Sequence, residues 1–308
     1  MKNLSVIYRV SLMVFLLTPS FTLAQSENAS LTQSLWDFES RLTTGVMYYE
    51  FEYAFTAGKD KSELLLNDLM PFVGGGATLF YDKCFADAYF QSSIISGKEG
   101  SEIKQPDTES ILNKANNELD RQDYAITLGC QVTNNGLFFA GYKYGQTDIY
   151  TASTQNWRYD RIDESRTGEA QFESDGLFLG AAYSHPIGNG LLGVKLAASL
   201  MEAEYNQHNI TTENNRAVGD GEKKTSADDW FLLGNTLGMT LGVNWTAPIN
   251  RHLSYRISLD YFNYDFDTDS AYVVQDNKAQ FIDILGGGVG YDMKETLYSL
   301  QLQLLYRF

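Results

Sequence analysis

The sequence predicts an all-β protein: a closed antiparallel barrel of about ten membrane-spanning strands, with short turns at one end and long loops at the other. Three observations carry this. Segments of alternating polarity recur along the chain, each with one oily face. Short Gly/Asn/Pro turns alternate with long polar connections. The chain finishes on such a segment, Leu297–Phe308 "LYSLQLQLLYRF", in which Tyr298, Leu300, Leu302, Leu304, Tyr306 and Phe308 share one face, with aromatics at both ends of the stripe. An apolar stripe bracketed by rings suits a bilayer, where Tyr and Phe sit at the two interfaces.

Residues 1–24 read as a secretory leader. Lys2 and Arg9 form a positive start, Val10 to Leu17 an apolar run, and Thr22-Leu23-Ala24 a small-residue cleavage site. Losing Lys2 and Arg9 takes the formal charge from −16 to −18. So acidic a chain argues against nucleic-acid binding, which needs a basic face. Aromatics make up 14% of the 308 residues. The mean hydropathy of −0.27 still fits a membrane barrel, because every second residue faces the lumen and the loops are wet. Residues 25–38 are expected to form a periplasmic segment and 39–308 the barrel.

The strands follow in order. In 41–55 the odd positions Met47, Tyr49, Phe51 and Tyr53 form the oilier face and are expected outside, which places Glu50 and Glu52 inside. Segments 70–81 and 85–95 alternate more weakly. In 124–133, Tyr124, Ile126, Leu128, Cys130 and Val132 point outward. In 136–147, Phe138, Tyr142 and Tyr144 oppose Gly141, Lys143 and Gly145. Segment 176–185 is weak; 191–201 sets Leu192, Val194 and Leu196 against Gly193 and Lys195. Segment 236–246 sets Leu237, Met239 and Leu241 against Gly238 and Gly242, and 253–264 sets Ile257 and Leu259 against Arg256 and Asp260. Residues 297–308 make the tenth strand.

Turns at 82–84, 134–136, 188–190 and 248–250 carry the Gly, Asn and Pro of tight reversals. The other connections, about 56–68, 96–122, 149–172, 206–228 and 267–295, are long and polar. With an even strand number both termini lie on the short-turn side. The leader, the alternating strands and the terminal Tyr306-Arg307-Phe308 resemble a bacterial outer-membrane β-barrel protein. The resemblance implies a Gram-negative outer-membrane location, lipid and lipopolysaccharide neighbours, and a C-terminal signal at Tyr306 and Phe308 read by the barrel assembly machinery.

Closure is required because no backbone group can stay unpaired in hydrocarbon. A ten-strand ring encloses a narrow lumen. The inward charges read from parity are Glu50, Glu52, Asp87, Lys143, Lys195, Arg256, Asp260 and Arg307. Both signs occur, so a paired, largely filled interior is the simplest reading and a narrow polar pore the alternative. The expected function is non-enzymatic: surface binding, or slow passage of small, cationic solutes.

Enzymatic alternatives meet specific objections. Ten-strand omptin proteases use an Asp dyad with Asp-x-His on the external rim. Here Asn206 stands two residues before His208, the single external-loop histidine, and no matching Asp-x-Asp is visible. Lipid-modifying barrel hydrolases place a His–Ser pair on the lipid-facing wall, and no outward stripe here contains histidine. Asp265, Asp267 and Asp269 resemble the start of a calcium loop, but its turn glycine and final Glu are missing, which favours a solvated rim. No cofactor is expected beyond Ca²⁺ or Mg²⁺ at the external loops. Gly286–Gly290 lacks the spacing of a nucleotide loop and reads as part of the last external loop, while Gly74–Gly76 suggest close strand approach. Cys84 and Cys130 fall at adjacent strand ends with outward parity in an oxidising compartment. They predict a cross-strand disulfide, with two separate buried thiols as the alternative.

Overall fold

The computed structural model describes residues 36–57, 60–94, 97–101, 114–157, 162–215, 222–275, 278–282 and 289–308. The expected leader lies outside them, as does 25–35. The barrel begins at Trp36 rather than at residue 39.

Ten staves close the ring. They are β1 (Trp36–Ala57), β2 (Asp60–Tyr81), β3 (Cys84–Ser93) continued by β4 (Gly97–Ser101), β5 (Lys114–Gln131), β6 (Gly136–Trp157) and β7 (Ile162–Ile187), then β8 (Gly190–Asn215), β9 (Glu222–Pro248), β10 (Leu253–Gln275) and β12 (Val289–Arg307). β11 (Lys278–Ile282) folds back on β10 as an external hairpin. All neighbours are antiparallel, and β12 pairs with both β10 and β1, so no edge remains open. Register carried once round the ring from Leu42 returns to Ala54, twelve residues further up β1. That stagger, with strand spacings near 4.8 Å and rises near 3.3 Å, tilts the staves by about 40° and sets a backbone diameter of about 20 Å.

The outer wall carries the apolar belt. Leu177, Leu200 and Leu237 are 68%, 70% and 68% exposed, which water would not tolerate over a continuous band. Rings bound it. Tyr48–Tyr298 and Tyr261–Tyr298 lie at one level, Trp36–Tyr81 and Phe38–Phe308 at the other. From Tyr298 to Phe308 is ten residues, about 25 Å along the axis at this tilt, the height of an outer-membrane apolar band. Among the described residues no helix is long and apolar enough to cross a membrane; the strands cross it.

The periplasmic turns are tight. Asp82 and Gly188 adopt positive φ (51° and 60°), the backbone such short reversals require. At the other end most of the expected loop residues are strand. β7, β8 and β9 run for 26, 26 and 27 residues, about 65 Å along the axis, so the sheet continues far above the belt. Of the expected loops, residues 58–59, 96, 102–113, 158–161, 216–221, 276–277 and 283–288 lie outside the described residues, the last containing most of the Gly286–Gly290 run.

The interior is filled by rings lying over glycines. A Cβ on Gly129, Gly141 or Gly180 would come within about 2.5 Å of the Phe85, Phe178 or Phe139 ring. Close strand approach holds at Gly74, where a Cβ would meet the Phe90 carbonyl at 2.4 Å.

Candidate functional site

Two layers of buried side chains cross the lumen. In the external half Met47, Tyr49, Phe51, Met70, Phe172 and Tyr205 belong to one buried apolar cluster. Phe51 on β1 meets Phe172 on β7 with ring centroids 5.2 Å apart, and Phe172 meets Phe266 on β10 at 4.9 Å. β1 and β7 are five staves apart in a ring of ten, so these rings touch across the full diameter. This layer corrects the assignment of β1. Its odd face is oily because it builds the plug, while Leu42, Val46 and Tyr48 on the even face meet lipid. Glu50 and Glu52 therefore stand on the outer wall above the aromatic level, with Glu52 opposite Lys294 in register.

Arg121 ties the underside of this plug. Its guanidinium donates to Asp123 (2.9 and 3.1 Å) and to Thr147 Oγ1 (2.9 Å), and it pairs with Glu295 on β12, four staves away. It lies 5.4 Å from the Tyr49 ring centre. Arg121 was hidden in the segment read as loop, 96–122, and Asp123 fell between it and the strand read at 124–133, although both continue the inward parity of β5. Glu295 likewise shares parity with Ser299 and Gln301.

Below this, Lys143 Nζ donates to Tyr264 Oη at 3.0 Å and stands 3.7 Å from Asp123, and Lys195 Nζ meets Asp260 at 2.8 Å. Nearest the periplasm, Arg41 donates to both Asp87 oxygens at 3.2 Å, and Thr78 donates to the same carboxylate at 2.5 Å. Arg256 Nε donates to Thr246 Oγ1 at 2.7 Å. Asp87, Lys143, Lys195, Arg256 and Asp260 thus all point inward. Arg307 is half-buried at the periplasmic mouth and pairs with Asp37. Arg41 was missed for the same reason that Glu50 was misplaced: the odd face of β1 was turned outward.

A groove of about 500 Å³ lies on the outer wall above the belt, lined by Asp120, Asp148, Glu169, His208, Asp229 and Phe231, among others. His208 Nδ1 pairs with Asp229 on the neighbouring stave. Local spacing could not reveal this partner, 21 residues along the chain; the β8–β9 register could. Asp265 and Asp267 are exposed on the same wall, and a bulge between Thr268 and Ser270 breaks the regular alternation beyond them. Asn235 Nδ2 donates to Asp269. Among the described residues no group of three or more His, Cys, Asp or Glu side chains could hold a metal ion, so these three aspartates do not form a converged site. Cys84 and Cys130 face each other in register on β3 and β5, Cα atoms 4.0 Å apart, and form the predicted disulfide.

A closed barrel with a ringed apolar belt on its outside defines an outer-membrane β-barrel protein, and the outer membrane is where it resides. The outer-membrane protease OmpT of Escherichia coli superposes with a TM-score of 0.62 at 10% identity, covering 91% of this chain and 99% of its own. A FadL homologue of Pseudomonas aeruginosa gives 0.36 at 10% identity (88% and 90% covered), and the translocator domain of the autotransporter NalP of Neisseria meningitidis 0.34 at 10% identity.

 The NalP match covers 88% of this chain and 89% of the translocator. No protein-family model and no curated protein matches the sequence. At 10% identity the OmpT likeness speaks for the fold alone.

Proposed function

We propose that this chain is a non-enzymatic surface barrel with a closed lumen. It acts by binding at the wall and loops above the bilayer, and any passage is confined to small solutes. The observation that carries this reading is the Phe51–Phe172 contact across the full diameter, set within one buried apolar cluster. Acidic side chains crowd the outer wall just above the aromatic level, among them Glu50, Glu52, Asp148, Glu202 and Asp265. Lipid phosphates at that height are anionic too, so Mg²⁺ or Ca²⁺ bridging carboxylate to phosphate would relieve the repulsion; both ions take oxygen ligands. Lipopolysaccharide is the partner this chemistry fits. The barrel assembly machinery is the partner of the C-terminal strand during insertion.

Planar-bilayer recording tests the closed lumen. Wild-type protein should give no steady conductance, and the Phe51→Ala/Phe172→Ala variant should give a small one. Steady conductance in the wild type would overturn the reading. The His208–Asp229 pair favours one competing function, a rim hydrolase, because a carboxylate can orient an imidazole as a base. A protease and lipase screen decides between them: turnover abolished by His208→Ala would replace binding by catalysis.

A further inference from the structure

Between the aromatic cluster and the Arg41–Asp87 pair lies a cavity of about 90 Å³, walled by Met47, Phe139, Phe178 and Leu297 on its apolar side and by Gln91 and Gln301 among its polar lining. Two hydroxyls that line it, Thr127 Oγ1 and Ser199 Oγ, are buried and find no hydrogen-bond partner among the described residues. Thr127 is 0% and Ser199 6% exposed, and they come from staves three apart, β5 and β8. Buried hydroxyls are rarely left without a partner, so the cavity has a polar occupant. Its charges are already matched: Lys195 meets Asp260 at 2.8 Å, and Lys143 lies 3.7 Å from Asp123. An ionic guest would upset that balance. Most of the exposed wall is nevertheless ring and aliphatic carbon, so a guest with an apolar part gains contacts there that water alone does not.

We infer that this chamber binds a small neutral solute with one amide or hydroxyl group and a short apolar part. Its volume equals about three water molecules' share of the liquid, which limits the guest to roughly three to five non-hydrogen atoms. The oxygen would accept from the Thr127 and Ser199 hydroxyls while the carbon end lies against the Phe139 and Phe178 rings. The inference stands whether or not the solute ever crosses the membrane.

Acetamide is the probe, and methionine methyl groups are the reporters, read by NMR on the refolded mature chain labelled with ¹³C. Met47 lines the chamber, while Met239, 48% exposed, faces the surrounding lipid or detergent. Acetamide should shift Met47 saturably and leave Met239 unmoved. Thr127→Val and Ser199→Ala should each weaken binding about fivefold, the worth of one neutral hydrogen bond. Thr127→Val keeps the side-chain shape, so it carries the test even where Ser199→Ala fails to refold. Acetate should bind more weakly than acetamide. An unresponsive Met47 would mean a chamber holding water only. A shift shared with Met239 would mean a general solvent effect. Unchanged affinity in both variants, or tighter binding of acetate, would contradict the assignment as well. Any of these four results overturns it.

Discussion

Replacing Arg121 by Met should cost the barrel about 3–5 kcal/mol, the usual penalty for removing one partner of a buried ion pair. The side chain is 1% exposed and stands between two carboxylates, Asp123 at 2.9 Å and Glu295, whose side chains are 6% and 0% exposed. Methionine keeps the aliphatic stem, so the change removes charge and hydrogen bonds more than volume. Asp123 retains Gln91 at 2.8 Å and Lys143 at 3.7 Å, whereas Glu295 loses the cation it meets. Glu295→Gln in the same chain should therefore recover part of the loss. Arg307→Met supplies the control. That pair with Asp37 is 35% and 29% exposed, so solvent screens it and its removal should cost at most about 1 kcal/mol. Urea unfolding of the barrel in lipid vesicles, followed by tryptophan fluorescence, measures both. A loss below about 1 kcal/mol for Arg121→Met would refute the reasoning, because it would mean that water reaches Glu295 and replaces the guanidinium.

Three further outcomes follow from the wall and the ends of the staves. The Cys84–Cys130 bridge closes a loop of 46 residues, so its removal should cost up to about 4 kcal/mol on the chain-entropy account; unfolding with and without reductant measures it, and equal stability would contradict the loop-closure argument. Deleting Phe308, whose ring packs on Phe38 and Tyr306, should leave more chain in the periplasm and less heat-modifiable barrel in the membrane fraction; unchanged yield would remove the proposed assembly signal. Should the barrel conduct at all, the acidic mouth should make it cation-selective, and Asp267→Asn with Asp269→Asn should weaken that selectivity, read as a reversal potential in a salt gradient; anion selectivity would contradict it.

The membrane-spanning part of each stave was legible because one face meets hydrocarbon and the other does not. Leu192, Val194 and Leu196 against Gly193 and Lys195 can be read without a structure. Above the belt the polarity inverts: Ile149, Ala170, Phe172, Met201 and Tyr205 are buried inside, while Asp148, Glu169, Glu202 and Glu204 face out. With acidic side chains outward, no oily outer stripe marks these stretches although the hydrogen-bonded ladder continues, which is why 149–172 and 206–228 read as loop yet are largely β6 to β9. The β1 face was illegible for the opposite reason. Met47, Tyr49 and Phe51 are as oily as any lipid-facing stripe, and composition alone cannot separate a lipid wall from a dry plug. Arg41 and Glu39, with the same parity, would have signalled the error, since two charges on the lipid-facing side of one stave are costly. The Cys84–Cys130 bridge was readable because both ends lie beside recognisable turns, where register has little room to slip.

The inward and outward charges do different work. Inside, Arg41 meets Asp87, Arg121 meets Asp123 and Glu295, and Lys195 meets Asp260. Each pair is held by neighbouring polar side chains, which a low-dielectric interior requires of any charge it keeps. Such matched pairs leave little net field along the axis, so the interior offers no strong preference for ions of either sign. Outside, Glu50, Asp148, Glu202 and Asp265 share the level just above the rings with Lys294. That imbalance faces lipid headgroups and external water, where its reach is about 8 Å at physiological salt. It follows that substitutions inside the lumen should change stability more than affinity for external cations, and substitutions on the outer wall the reverse. The chemistry that distinguishes this barrel from a bare membrane plug is therefore to be sought on its outer wall and in the small chamber, not along a through-going pore.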